Sequence, residues 1–212
     1  VIASTKPDVF IAGADINEIR ALQSEGEEKT YQVTMDAKRI LAKLRSLGVP
    51  SVAAINGACK GGGLELALWC SHRLAADTPA VALALPEVRL GIFPGFGGCV
   101  LLPRLIDTIK AVTMIATGAD VSANDAWQSG LIDEVVAPED LIARAEAIAL
   151  GTKSKKAPSV GKGKKAGWAE RTVAALLDVT EPFKADRFSG MRHLVSATTH
   201  GFASKQVVEQ IK

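Results

Sequence analysis

The strongest constraint on the fold is a strand-length apolar run that empties into a run of glycines. Ser51-Val52-Ala53-Ala54-Ile55 is followed by Asn56-Gly57-Ala58-Cys59-Lys60-Gly61-Gly62-Gly63 and then by Leu64-Glu65-Leu66. A continuous apolar stretch of that length reads as a strand buried on both faces, the pattern of a parallel sheet. The glycines turn the chain from that strand into a short helix carrying Glu65. Strands and helices alternate along the rest of the sequence in the same way. Residues 1–12 give a short strand, a Lys6-Pro7-Asp8 turn and a second apolar stretch. Val33, Ala37, Ile40, Leu41, Leu44 and Leu47 recur at helical spacing, and Gly48 and Pro50 close that helix.

Leu74-Ala75-Ala76 and Val81 to Leu85 read as strands on either side of an Asp77-Thr78-Pro79 turn. The pattern becomes helical from Gly98 through Leu105 and again from Ile109 to Thr117. Ser122 with Asp125 forms a helix N-cap signature, with a stop expected near Gly130. Ile132 to Val136 is a further strand, and Pro138-Glu139-Asp140 opens a final helix. The fold class is therefore α/β.

Composition narrows the class of molecule. Of 212 residues, 48% are hydrophobic and 23% charged, which excludes a disordered chain and leaves room for one domain with a tail. A net charge of +2 is too small to direct the chain to nucleic acid or a membrane surface. No apolar run is long enough to span a bilayer. Cys59, Cys70 and Cys99 are odd in number and show no CxxC pairing, which fits a reducing compartment. The bacterial cytoplasm is the expected location, with the mitochondrial matrix as the alternative. The lysines of residues 151–166, interspersed with Gly, Ser and Pro, read as a solvated linker rather than a phosphate-binding segment. The domain partition is a core at 1–150, this linker, and a helical segment at 167–212.

Two glutamates stand beside glycine-rich turns. Glu65 follows Gly61-Gly62-Gly63, and Glu87 lies in Leu85-Pro86-Glu87-Val88-Arg89-Leu90-Gly91-Ile92-Phe93-Pro94-Gly95-Phe96-Gly97-Gly98. With the earlier Phe10-Ile11-Ala12-Gly13-Ala14-Asp15-Ile16, these segments resemble, in order and separation, the signature regions of the enoyl-CoA hydratase/isomerase (crotonase) superfamily. The likeness is greatest to the hydratase domain of the multifunctional α-subunit of fatty-acid oxidation. It implies a repeated ββα spiral rather than a doubly wound sheet. Family members begin with further strands, so the chain is expected to be a fragment lacking its first strands.

The implied chemistry is addition of water to a trans-2-enoyl-CoA. An acyl-CoA thioester develops negative charge on its carbonyl oxygen, and fixed backbone N–H groups stabilise it. By resemblance, the N–H groups of Gly62 and Ala14 are those donors. Glycines before a helix start suit this task, since the backbone can approach a ligand and its first N–H groups are unpaired. Glu65 is assigned chiefly to the water and Glu87 chiefly to proton transfer at the α-carbon. Ala12, Asp15, Ile16, Gly61, Pro86, Pro94 and Gly95 are expected to line the substrate site. No metal or redox cofactor is expected, coenzyme A being part of the substrate. Members that isomerise double bonds often keep only one of the two acids, so the pair favours hydration. The alternatives are an enoyl-CoA Δ-isomerase and a catalytically inactive crotonase-fold binding or scaffold module.

Some positions depart from the family pattern. Lys60 replaces an apolar residue, Ala84 a common Gly, and Cys99-Val100-Leu101 a usual Thr-Gln-Arg. Lys60 beside the oxyanion turn has three readings: narrowing the pocket, binding a substrate carboxylate, or pointing to solvent. Other chemistries find less support. Ser71 and His72 are adjacent and would point to opposite faces of a strand, and the scattered His and Cys show no metal-ligand spacing. No GxGxxG unit follows a strand, so no NAD site is expected, and no Gly-Lys-Ser/Thr follows the glycine runs. The expected assembly is a homo-oligomer, a trimer above all. In a full-length multifunctional parent, a dehydrogenase region and a thiolase subunit would take that place.

Overall fold

A computed structural model describes residues 1–151. The linker from 152 onward and the helical segment at 167–212 lie outside the described residues. Among the described residues, eight strands are divided between two four-stranded sheets. The first sheet has the order β1 (Ile2–Ala3), β3 (Val52–Ile55), β5 (His72–Ala76), β8 (Glu134–Val136), and all its pairings are parallel. The second has the order β2 (Val9–Ile11), β4 (Ala58–Lys60), β6 (Ala82–Ala84), β7 (Val121–Ser122), parallel except for β6 with β7. From β1 to β6 successive strands alternate between the sheets, which is how a repeated ββα unit winds; β7 then stays beside β6 in the second sheet and β8 returns to the first. The Asp77-Thr78-Pro79 turn is not a hairpin but a passage from the first sheet to the second.

β3 explains why its sequence is apolar throughout. All four of its residues are buried, with β1 and β5 on its flanks and α7 (Leu141–Ala149) packed across it. The core extends through Leu64, Leu68, Leu74, Leu83, Leu85, Leu102, Ile115, Leu131 and Ile132, all fully buried. Each such side chain stabilises the fold by about 1.5–3 kcal/mol relative to exposure. One buried cation crosses this core. Arg73 on β5 donates to the carbonyls of Leu131 and Cys70, both at 2.9 Å, and pairs with Asp133 at 3.2 Å. Losing one partner would strand a buried charge, so the cluster fastens β5 to the approach to β8.

Helix ends follow their sequence signals. Asp107 caps α5 (Thr108–Thr117) by accepting from the N–H of Ile109 and Lys110. The Ser122 hydroxyl accepts from the Asp125 N–H at the start of α6 (Ala123–Ser129), and Gly130 ends that helix in a left-handed conformation. The last helix is preceded by a 3-10 turn at Pro138–Asp140. No helix among the described residues is long and apolar enough to cross a membrane.

Some features go beyond what the sequence pattern shows. The helical periodicity of residues 33–47 is real, in α2 (Glu27–Ser46), but its stripe is not a core face. Val33, Ile40 and Leu47 are exposed, and Thr34 is the buried residue of the helix. α2 meets α1 (Ile16–Ser24) and α3 (Gly62–Trp69) along one edge, leaving the remainder of the stripe open. Two elements have no counterpart in the sequence reading. α1 has no buried residue and hence no strong apolar period, and β4 is three residues inside a glycine-rich stretch. Glu87 sits in a 3-10 turn, Pro86–Leu90, that follows β6.

Candidate active site

The glycine run sets the site's geometry. Gly61 has φ +55°, is buried, and donates to the Ala84 carbonyl at 2.9 Å, which continues the β4–β6 pairing into the start of α3. Gly63 is required for a different reason. A Cβ there would run into the carbonyl and side chain of Ile11, so α3 begins hard against β2. That contact brings the end of β2 to Gly61. Gly13, at φ +110°, lies where a Cβ on Gly61 would be 3.8 Å from its Cα. The Gly13-Ala14 turn and the Gly61-Gly62 turn, far apart in sequence, are thus neighbours. Gly62 is the first residue of α3, so its N–H has no partner within the helix.

Glu65 lies one turn into α3 with 1% of its surface exposed. Its Oε1 accepts the N–H groups of Phe96 at 2.7 Å and Gly98 at 2.8 Å. Gly98 opens α4 (Gly98–Leu105), where a Cβ would stand 2.9 Å from Pro94 Cβ and 3.2 Å from Glu65 Oε1. Burial pushes the Glu65 carboxyl up to about 8. The Gly98 N–H opposes the shift, the Glu87 charge adds to it, and the Phe96 N–H and Lys38 oppose it.

Glu87 is held by its 3-10 turn, which Gly91 closes in a left-handed conformation. Its Oε1 is 3.2 Å from the position of a Cβ on Gly61, so the carboxyl faces the glycine turn. Its Oε2 is buried and accepts no hydrogen bond among the described residues. Burial pushes this carboxyl up to about 7, with its own backbone N–H opposing. Two interacting carboxyls raised toward neutrality titrate as a unit. Near neutral pH the pair suits one proton, the arrangement needed for one acid and one base. The higher value belongs to Glu65, so the shared proton rests there first, and its two N–H donors limit rather than reverse the effect of burial.

The remaining expected residues divide by environment. Pro94 is buried against Gly98, Gly95 is half-buried beside it, and Pro86 precedes Glu87. Ala12, Ala14 and Ile16 are exposed between β2 and the first turn of α1. Asp15 is the N-cap of α1, accepting from the Asn17 N–H at 2.7 Å. Lys60 is ion-paired with Asp120 at 2.8 Å, which answers the question its unusual position raised. Lys38 is the residue sequence reasoning missed. Burial lowers its pKa, while Glu65 and then Cys99 raise it, which places an ammonium in the field of the carboxyl. A lone lysine in an amphipathic helix gives no signal of such a role.

The comparisons with known proteins agree with this fold. The family model for enoyl-CoA hydratase/isomerase matches residues 1–171. An enoyl-CoA hydratase from Bacillus anthracis is 30% identical, with a TM-score of 0.63 over 99% of this chain and 74% of that one. An enoyl-CoA hydratase from Geobacillus kaustophilus HTA426 is 27% identical, with a TM-score of 0.65 over 99% of this chain and 73% of that one. DspI from Pseudomonas aeruginosa is 28% identical, with a TM-score of 0.63 over 89% of this chain and 71% of that one. The two sheets, wound strand by strand around a glycine-framed pair of glutamates, are the crotonase-type fold, and the chain belongs to the enoyl-CoA hydratase/isomerase family.

Proposed function

We propose that the chain is an enoyl-CoA hydratase of fatty-acid β-oxidation, adding water across the double bond of trans-2-enoyl-CoA. The observation that carries this reading is the pair of buried carboxyls, Glu65 and Glu87, gathered around two adjacent glycine turns. The thioester oxygen lies between the N–H groups of Ala14 and Gly62. The reacting state has the shared proton moved to Glu87, a small cost for carboxyls at about 8 and about 7. Glu65, ionised, takes a proton from water as the water oxygen bonds to C3. The π electrons move onto the thioester oxygen, and the resulting enolate takes a proton from Glu87 at C2. Glu65 then holds the proton that Glu87 has lost. Carboxyls raised to about 8 and about 7 are close enough in proton affinity to restore the starting state. An isomerase needs one carboxyl to move a proton between carbons, and the second buried glutamate favours hydration over that reaction.

The deciding assay uses the full chain with a short trans-2-enoyl-CoA, following loss of the conjugated thioester absorbance. Hydration to the 3-hydroxyacyl-CoA is expected without NAD and undiminished by EDTA. Conversion of a 3-enoyl-CoA with no hydration of the 2-enoyl isomer would establish the isomerase instead, and inertness toward both would leave a binding module. We further propose self-association as a trimer, because the stripe of Val33, Ile40 and Leu47 on α2 leaves apolar surface open. Light scattering at micromolar concentration should give three times the chain mass. A monomer would instead favour the arrangement of a multifunctional parent with its dehydrogenase region and thiolase partner.

A further inference from the structure

We propose that Trp69 is a positioning residue for this site, clamping the segment whose N–H groups hold the Glu65 carboxyl. Glu65 and Trp69 are four residues apart, so they lie on the same face of α3. Both reach Phe96. Glu65 Oε1 accepts the Phe96 N–H at 2.7 Å, and the Trp69 indole Nε1–H donates to the Phe96 carbonyl at 2.7 Å. One helix face therefore grips a single loop residue by both its polar backbone groups. The next residue explains why the grip fits. Gly97 has φ +119°, and a Cβ there would be 3.1 Å from Trp69 Nε1, so the indole lies against the backbone where it turns left-handed. Gly98, the second donor to Glu65, follows at once.

Trp69 is itself held from behind. The Arg45 guanidinium of α2 sits 5.5 Å from the indole centroid and donates to the Leu68 carbonyl at 3.1 Å. Cation–π contact and hydrogen bond together fix the ring's plane. Without the indole N–H, the peptide between Phe96 and Gly97 is free to rotate, and the donors on either side lose their aim. A carboxylate that loses an N–H donor is stabilised less, so its protonation moves to higher pH. Trp69 touches neither substrate nor water in this scheme. It acts through Phe96 and Gly98 on the base.

The clamp rests on the proposed hydration only for its effect on rate, and its test reads the carboxyl directly. In the full chain with 13C-labelled glutamate carboxyls, Glu65 is identified by the resonance missing from Glu65→Gln. Trp69→Phe keeps the ring and removes the donor. Its Glu65 titration is expected about one pH unit higher than in the unsubstituted chain, the loss of one charge-assisted hydrogen bond. In the hydration assay, kcat near neutral pH should fall about tenfold with KM nearly unchanged, and the limb reporting the ionised base should move up by the same interval. If Trp69→Phe does not fold, Arg45→Met, which leaves the indole N–H and removes the stacking, should give a smaller shift in the same direction. An unmoved Glu65 titration in folded Trp69→Phe overturns the proposal, as does an unmoved one in Arg45→Met where the first variant is unfolded. A shifted titration in a chain that hydrates nothing would sink the hydratase reading and leave the clamp standing.

Discussion

The two sides of the site are built by different means. On one side α3 carries Glu65 with five of its eight residues buried, and the 94–98 segment is bonded to it at Phe96 and Gly98. On the other, Ala14 precedes α1, a helix of nine residues with none buried. What orders that side is local: the Gly13 conformation, the Asp15 cap and a packing edge against α2. Segments with few buried contacts open at much lower free energy than the global fold. The Glu65 carboxyl is thus firmly fixed, while the turn before α1, where the proposed Ala14 donor stands, is held by few buried contacts. On the proposed chemistry charge develops at the thioester oxygen, so binding of the acyl-CoA must complete the order of the Ala14 turn before its N–H can serve.

Replacing either acid tests the rigid side first. Glu65→Gln and Glu87→Gln should each lower hydration by about 10²–10⁴-fold, with acyl-CoA affinity largely retained. Steady-state kinetics beside equilibrium binding of the acyl-CoA separate the two quantities. A Glu87→Gln enzyme of near-normal rate would remove the assignment.

The same residues govern a pH dependence of stability. Both carboxyls are raised from an ordinary value of 4.5, Glu65 to about 8 and Glu87 to about 7, so the folded state binds protons more tightly than the unfolded one. The stability this contributes is present in full below 4.5 and is lost as pH rises through 7 and 8. Glu87→Gln should therefore unfold at higher denaturant than the unsubstituted chain at pH near 9, by about 1–3 kcal/mol, and show little difference near pH 4. Urea titrations at the two pH values decide it, and an advantage confined to acid would reverse the sign of the argument.

The smallest expected effect belongs to the exposed side. Asp15→Ala removes a cap worth about 1 kcal/mol to its helix. Amide exchange across α1 should accelerate about fivefold, while the global unfolding midpoint barely moves. A large fall in the midpoint would erase the contrast between the two sides.

The same contrast decides what could be seen in the sequence. β3, the Ser122–Asp125 cap and the Gly130 stop were legible, because local spacing or burial on both faces leaves a pattern in neighbouring residues; the two glutamates stood out only through the resemblance of their glycine-rich segments to the family's. α1 was not, since a helix that buries nothing has no reason to repeat apolar residues at 3.6. α2 shows the reverse case: its period is plain, but periodicity does not say what covers the stripe. Within the site, Lys60 pairs with Asp120 sixty residues on, and Trp69 reaches a carbonyl twenty-seven residues on. Spacing along one chain carries no sign of partners at such separations.

The first sheet also carries an order of events. β5 takes its second neighbour only when β8 pairs with it, Leu74 against Glu134, and Arg73 meets Asp133 in the same step. On a ribosome adding about 5–20 residues per second, those partners emerge roughly 3–12 s apart. Through that interval β5 offers an open edge, and its arginine has no carboxylate in a core being closed around it. Synthesis speed over the stretch from Ala76 to Glu134 therefore sets how long the growing chain presents a surface that a second nascent copy, or a chaperone, can occupy.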